Sequence, residues 1–246
     1  MSRGALMNGV SHHRRTSFAV VFAALFVAIA FTAVRADSTI WKSVLGWIAA
    51  GTLLLSIAYF INWPGVFGKS EVGSLRWPIV MLMAPMLLFV RIVWQLQNIA
   101  IRTPLYNEIV PDLFVGRLCN YESLPEGVSV VVDLTAEFQT PHSLQPRVQI
   151  ICLPTLDGCP PDWQKCQQAF ALIGNNHHRI YACCANGHGR SVTFMAAWLG
   201  YQRKCNSAIE AVRLIQAARP TAAPNSDQMS FLTQVFHTLP QWCRGE

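Results

Sequence analysis

Apolar and polar positions fall into two regimes along the chain. The first hundred residues contain three long apolar runs: 17–34 and 43–63 carry no charged residue, and a run from Trp77 to Val90 continues past Arg91 to about residue 97. Runs of about 20 apolar residues match the hydrocarbon thickness of a bilayer, so three membrane-spanning helices are expected over 17–34, 43–63 and 77–97. The third spans if Arg91 snorkels to the interface. Tryptophans 41, 47, 63, 77 and 94 lie at or near the ends of these runs, as interfacial belts do. Val34-Arg35-Ala36 is also a passable signal-cleavage site, but the two apolar runs after it favour a multi-pass membrane anchor.

From Thr103 the pattern changes. Short β-branched runs at 113–115, 128–134, 148–153 and 179–183 alternate with helix-period stretches at 161–173, 191–203, 207–218 and 226–238. Near-continuous apolar strands are buried on both faces, so residues 103–246 are expected to form an α/β domain with a central, mostly parallel sheet flanked by helices. Pro161-Asp162 offers a helix start and Gly174-Asn175-Asn176 a stop, and Asn206 offers a cap for the following helix. Ile209, Val212, Leu214 and Ile215 form a stripe that reads as core packing.

Charge sharpens the division. Residues 1–102 hold nine Lys or Arg and two Asp or Glu, whereas residues 103–246 hold ten and eleven. The basic balance therefore belongs to the membrane part, and the soluble part has no positive field for nucleic acid. Counting cations in the loops between three spans leaves orientation open, at five inside for an N-inside chain and four for its opposite. All eight cysteines lie beyond residue 103, with spacings that match neither a disulfide scaffold nor a zinc site, so no metal or cofactor is expected. A working thiolate favours a reducing setting, which places the domain in the cytoplasm.

The chemistry concentrates in Cys184-Ala185-Asn186-Gly187-His188-Gly189-Arg190-Ser191, set between an apolar strand and a helix. Such a loop turns its amides towards an anion at a helix N-terminus. Amides, the helix dipole and a neighbouring guanidinium all favour a thiolate at Cys184, which can attack phosphorus. Arg190 can hold two phosphate oxygens with its planar fork. Residues Ala185, Asn186, Gly187, His188 and Gly189 would supply the cradle, and Ser191 could donate to the sulfur as it leaves. The leaving oxygen needs a proton from another loop. Asp157, in Leu156-Asp157-Gly158-Cys159-Pro160-Pro161, is the best-placed acid. Asp162 competes but sits where a helix cap is needed.

These residues resemble the cysteine-dependent protein tyrosine phosphatase superfamily, specifically its small dual-specificity branch. The resemblance runs from about Tyr106 to Phe236. Besides the loop it includes Asn107 to Arg117 as an opening strand, Val131-Val132-Asp133-Leu134-Thr135, and Ala217-Ala218-Arg219-Pro220 followed by Asn225, Gln228, Phe231 and Leu232. It implies Cys184 as nucleophile, Arg190 as phosphate clamp, Asp157 as general acid then base, and Ser191 as helper in hydrolysis of the cysteinyl-phosphate, without metal.

One position departs from the pattern. The family usually has histidine before the nucleophile, and here that residue is Cys183, which reads as a small buried strand residue or as a partner that could oxidise with Cys184. His188 could contact an additional phosphate, although a solvent-facing histidine is the simpler reading. His12-His13 and His177-His178 read as polar surface. The expected function is a membrane-anchored phosphatase acting on phosphoprotein Ser, Thr or Tyr phosphates. A phospholipid or phosphoinositide substrate is the alternative, a non-catalytic phosphate-binding scaffold the second, and a rhodanese-type sulfur transferase fits less well.

Overall fold

The computed structural model describes residues 13–100, 103–174 and 178–242. Arg3, His12, Arg102, Asn175, Asn176, His177 and Cys243 lie outside them. Three apolar helices come first: α1 His13–Arg35, α2 Thr39–Ile61 and α3 Trp77–Ala100, each long and apolar enough to cross a membrane. Asn62 ends α2 in the left-handed region at φ 54°, and the Trp63 N–H donates to Ala58 O at 2.8 Å, closing the helix with an αL cap. Helix α1 packs along α2, and α2 touches α3, but α1 and α3 share no extended contact. Gly51 lets α3 approach α2, since a Cβ there would lie 3.1 Å from Met86 Cγ. Trp47 Nε1 donates to Leu82 O at 2.9 Å across the same crossing.

The remaining chain is the expected α/β unit. Strands β1 Tyr106–Val110, β2 Leu113–Arg117, β3 Val130–Thr135, β4 Gln149–Thr155 and β5 Ile180–Cys184 form one sheet in the order β1-β2-β5-β3-β4. Every neighbouring pair is parallel except β1–β2. The segment read as a single opening strand is thus a hairpin, turned through Pro111 and Asp112, with Asp112 at φ 70°. Helices α4 Trp163–Ile173, α5 Arg190–Tyr201, α6 Ala208–Ala218 and α7 Ser226–Trp242 complete the domain.

Strand alternation builds two cores. Val115, Val132, Leu134, Ala182 and Cys184 face Phe170, Phe194, Leu199 and Phe231 of the helices. Phe114, Val131, Tyr181 and Cys183 face the other way, towards Leu144 and Val148.

Two local expectations change. The cap of α6 is Ser207, whose Oγ accepts from Glu210 N at 3.2 Å, while Glu210 reaches back to Asn206 N at 2.7 Å. Asn206 is therefore one position too early; Ser207 has the extended backbone that aims a side chain at the first turn. The buried stripe of α6 is Ala208, Ala211, Val212 and Ile215, with Ile209 58% exposed, because small residues let this helix pack close. As expected, Asp162 caps α4 by accepting from Lys165 N at 3.0 Å.

The membrane part and the α/β part share a core. Leu55, Ala58, Tyr59, Phe67 and Met83 cluster with Ala136, Leu156 and Cys159 of the domain. Lys69, from the α2–α3 connection, inserts its ammonium at the end of β3, where it donates to Asp133 Oδ2 at 2.7 Å, Thr135 O at 2.8 Å and Thr135 Oγ1 at 2.9 Å. Both charged side chains are 0% exposed, and all three lysine protons are used. At the other end the Arg14 N–H of α1 donates to Asp227 Oδ2 of α7 at 3.0 Å.

Candidate active site

Strand β5 ends at Cys184 and helix α5 begins at Arg190, so the five residues between them must turn the chain at the carboxyl edge of the sheet. Gly187 makes the turn at φ 72°, with its missing Cβ only 2.6 Å from the Gly116 backbone, so both conformation and space demand glycine. The loop carbonyls are all bonded to the surroundings. Cys184 O accepts from Leu118 N, Ala185 O from Trp94 Nε1, Asn186 O and Gly187 O from Arg219, and His188 O from Ala223 N. With carbonyls committed outwards, the N–H groups are left for the interior. The Gly187 N–H donates to Cys184 Sγ at 3.2 Å, and Ser191 Oγ lies 3.4 Å from the same sulfur. The loop thus sets a thiol beside an amide and a hydroxyl at a helix N-terminus, an arrangement suited to an anion.

Arg190 is 2% exposed. Its Nη1 donates to Glu137 Oε2 at 2.9 Å and to Thr155 O at 2.9 Å, and its Nη2 donates to Glu137 Oε1 at 2.7 Å. Asp157 Oδ1 is 3.2 Å from Nη2. Burial alone would push the guanidinium down, but Glu137 and then Asp157 hold it well above its ordinary value, so it stays charged. Arg190 Nε has no hydrogen-bond partner, and neither does His188 Nε2. A buried donor left open beside a thiol can take an anionic oxygen.

Asp157 lies where the sequence put it, on a loop facing the thiol loop, with its side chain 71% exposed. The loop is better held than its Gly/Pro content suggests. Tyr59 OH donates to Asp157 O at 3.3 Å, Asn225 Nδ2 to Gly158 O at 2.8 Å and Gln228 Nε2 to Cys159 O at 3.2 Å. Cys184, Arg190, Asp157 and Ser191 are thus brought together, along with Ala185, Asn186, His188 and Gly189, which line the same cavity.

No protein-family model matches the chain, and no curated protein matches it. Solved structures do. PTPMT1 in complex with PI(5)P superposes with a TM-score of 0.51 at 20% identity, over 57% of this chain and 99% of that one. Human DUSP28 follows at 0.45 and 23%, over 56% and 97%, and Tk-PTP in its active form at 0.47 and 25%, over 56% and 97%. The α/β part has the fold of the cysteine-based tyrosine and dual-specificity phosphatases. In that phosphatase fold the strand-loop-helix around Cys184 occupies the carboxyl edge of the parallel strands, where open α/β sheets bind ligands.

Cys183 points to the opposite face from Cys184, as consecutive strand residues must, and is fully buried among Phe114, Tyr181 and Leu144. Burial pushes its thiol well above the usual range, and Asp133 adds to this. It is the buried strand residue of the two readings, and all seven described cysteines are free. His188 is held below its ordinary value by burial first and then by Arg219 and Arg117, so at neutral pH it is an uncharged ring.

Several residues of the site were not singled out from sequence. Glu137 follows β3 by two residues, and a lone carboxylate after a strand carries no sign that it will be buried. Trp94 and Gln97 of α3 hold the loop at Ala185 O and, at 2.8 Å, at Asn186 Nδ2. They read only as membrane-end residues. Arg219 was quoted for the resemblance, without a role; it ties loop carbonyls to Asn107 Oδ1 at 2.8 Å.

Proposed function

We propose that this chain is a membrane-anchored phosphatase that hydrolyses phosphate monoesters through a cysteinyl-phosphate. The observation carrying the proposal is the convergence on one cavity of a thiol held by an amide and a hydroxyl, a buried arginine with an open donor, and an exposed carboxylate within reach of that arginine. The Cys184 thiolate attacks phosphorus, the oxygen–phosphorus bond to the leaving group breaks, and Asp157 gives its proton to the departing oxygen. Water then attacks phosphorus and yields its proton to Asp157 while the sulfur–phosphorus bond breaks. Ser191 donates to the sulfur as it regains its negative charge. Arg190 and the loop amides hold the phosphoryl oxygens through both steps, which places fixed charge where charge develops. A scaffold that only binds phosphate would need none of Asp157, Ser191 and the open thiol.

Turnover of an aryl phosphate by the full chain in nanodiscs tests this. Wild-type protein should give a quench-trapped phosphoenzyme, and Cys184→Ser should give neither phosphoenzyme nor turnover. Wild-type turnover by Cys184→Ser would overturn the reading.

Sidedness belongs to the same proposal. The start of α1 bonds to α7, and the end of α2 bonds to the Asp157 loop, so both open ends of the α1–α2 hairpin lie on the catalytic side. Helix α3 is preceded by the Lys69 connection and ends with Trp94, Gln97 and Asn98 on the catalytic domain, Asn98 Oδ1 accepting from Arg117 Nη1 at 2.6 Å. A helix anchored on the domain at both ends runs along it. The α1–α2 pair is then the crossing hairpin and α3 an apolar helix in the bilayer face. Among the described residues this puts Arg14, Arg15, Lys69, Arg76 and Arg91 on the catalytic side and Arg35 and Lys42 on the other. This excess of cations supports a cytoplasmic catalytic side. An impermeant thiol reagent should label a cysteine placed at Ala36 and spare the catalytic domain in intact cells; labelling the other way round would refute the orientation.

A further inference from the structure

The active-site cavity, about 550 Å³, is far larger than a phosphate needs, and its walls change character along its length. At one end are Cys184, Arg190, Asp157, Asn186 and His188. Phe18 and Phe22 of α1, Leu55 of α2, and Phe89, Val90 and Val93 of α3 line the rest, with Phe18 beside Gly158. Two rings join these parts. The Tyr59 hydroxyl bonds to the backbone of Asp157, and its ring lies 5.1 Å from Phe18 and 5.6 Å from Phe22. Trp94 bonds to Ala185 O, and Phe89 is five residues earlier on the same helix, about 7.5 Å along its axis. The apolar wall therefore starts within one side chain of the chemistry.

That wall is shared by all three helices. Helices α1 and α3 each pack on α2 and not along each other, which leaves a gap between them floored by α2. The gap lies among helices whose outward faces are apolar and exposed, Val20 at 62% and Leu88 at 60% among them. In a bilayer it faces acyl chains.

We infer that the substrate is a membrane phospholipid bearing a single terminal phosphate monoester on a short headgroup, with its acyl chains entering between α1 and α3. The inference rests on the phosphatase reading and names its substrate class. An apolar cavity that continues from a phosphate cradle has no use for the extended, water-solvated backbone of a phosphopeptide, but it removes hydrocarbon from no environment that a lipid would miss. The polar end provides only Arg14 and Arg190 as fixed cations against Glu137 and Asp157. The two pairs of charges balance, so beyond the open Arg190 donor and the loop amides the cavity holds no surplus positive charge for a second or third phosphate. The donor open to a single phosphate is Arg190 Nε, on a side chain 2% exposed.

The test uses the full chain in nanodiscs with dioleoyl phosphatidate, dioleoyl phosphatidylglycerophosphate, glycerol 3-phosphate, a phosphotyrosine peptide and an aryl phosphate. Either diacyl lipid should exceed glycerol 3-phosphate and the peptide in kcat/KM by at least about 100-fold. Val90→Trp, which fills the gap, should lower the lipid-to-aryl-phosphate ratio by about ten-fold or more. Val20→Trp, on the outward face of α1, should leave that ratio unchanged. Peptide or glycerol 3-phosphate turned over as well as lipid, or an unaltered ratio in Val90→Trp, overturns the lipid assignment while Cys184-dependent aryl phosphate turnover keeps the phosphatase reading. Absence of Cys184-dependent turnover of every substrate overturns both.

Discussion

Glu137→Ala tests how Arg190, the proposed phosphate clamp, is held. Arg190 is 2% exposed and gives two parallel charge-assisted hydrogen bonds, at 2.9 and 2.7 Å, to a carboxylate that is itself 7% exposed. The substitution leaves the guanidinium with Thr155 O and with Asp157, whose 71% exposed carboxylate is screened by water and compensates little. Removing one partner of a buried pair costs about 3–5 kcal/mol, because the remaining charge is stranded. For a chain of this length that is a fall of roughly 6–20 °C in Tm. Freed from its fork, the clamp also moves, and a displacement of about 1 Å in a positioning group costs on the order of 100-fold in rate. Thermal unfolding in nanodiscs and kcat/KM on an aryl phosphate read the two effects separately. A Glu137→Met/Arg190→Met double variant should regain much of the lost stability while remaining inactive, since apolar isosteres often replace buried pairs at little cost. If Glu137→Ala unfolded within about 1 kcal/mol of wild type and kept its kcat/KM, the buried fork would not be what positions Arg190.

Other substitutions separate the remaining roles. Asp157→Asn should lower kcat by about 10²–10⁴-fold for poor leaving groups and far less for a good one such as p-nitrophenol; equal losses for both would exclude proton donation. Lys69→Met should destabilise by about 3–5 kcal/mol by leaving Asp133 buried without its cation, read from thermal unfolding. Cys183→Ala should keep kcat/KM within about two-fold, and native Cys183 should resist iodoacetamide; a large loss of activity would make its thiol part of the chemistry. His188 is held below its ordinary value of about 6.5, so the unfolded chain takes up its proton first and stability falls as pH drops below that value until the folded ring also protonates. His188→Gln should flatten the decline of Tm in that window.

The strand-loop-helix at Cys184 was legible because its chemistry is local: a thiol, glycine at positions that forbid a Cβ, and an arginine at the next helix start all lie within eight residues. Asp157 was legible for a similar reason, as the acidic side chain in a turn after a buried strand, and the sheet followed from short, near-continuous β-branched apolar runs. Asn206 failed as a cap and Ile209 as core because one residue of register along a helix depends on what packs against it.

What the sequence determined by itself was composition and period: three apolar helices, a mostly parallel α/β domain, and a loop fit to hold phosphate beside a thiol. What only the tertiary structure decided was which distant residues share one space. Glu137 and Arg190 lie 53 positions apart, and Trp94 and Ala185 lie 91 apart. No local pattern encodes such pairings, because a buried charge or an indole N–H is satisfied by whatever group the folded chain brings to it. The same is true of α3, whose apolarity fits a bilayer span but whose contacts lay it over the catalytic edge of the sheet. There the apolar helices do more than the proposed tethering and form a wall of the cavity that holds Cys184.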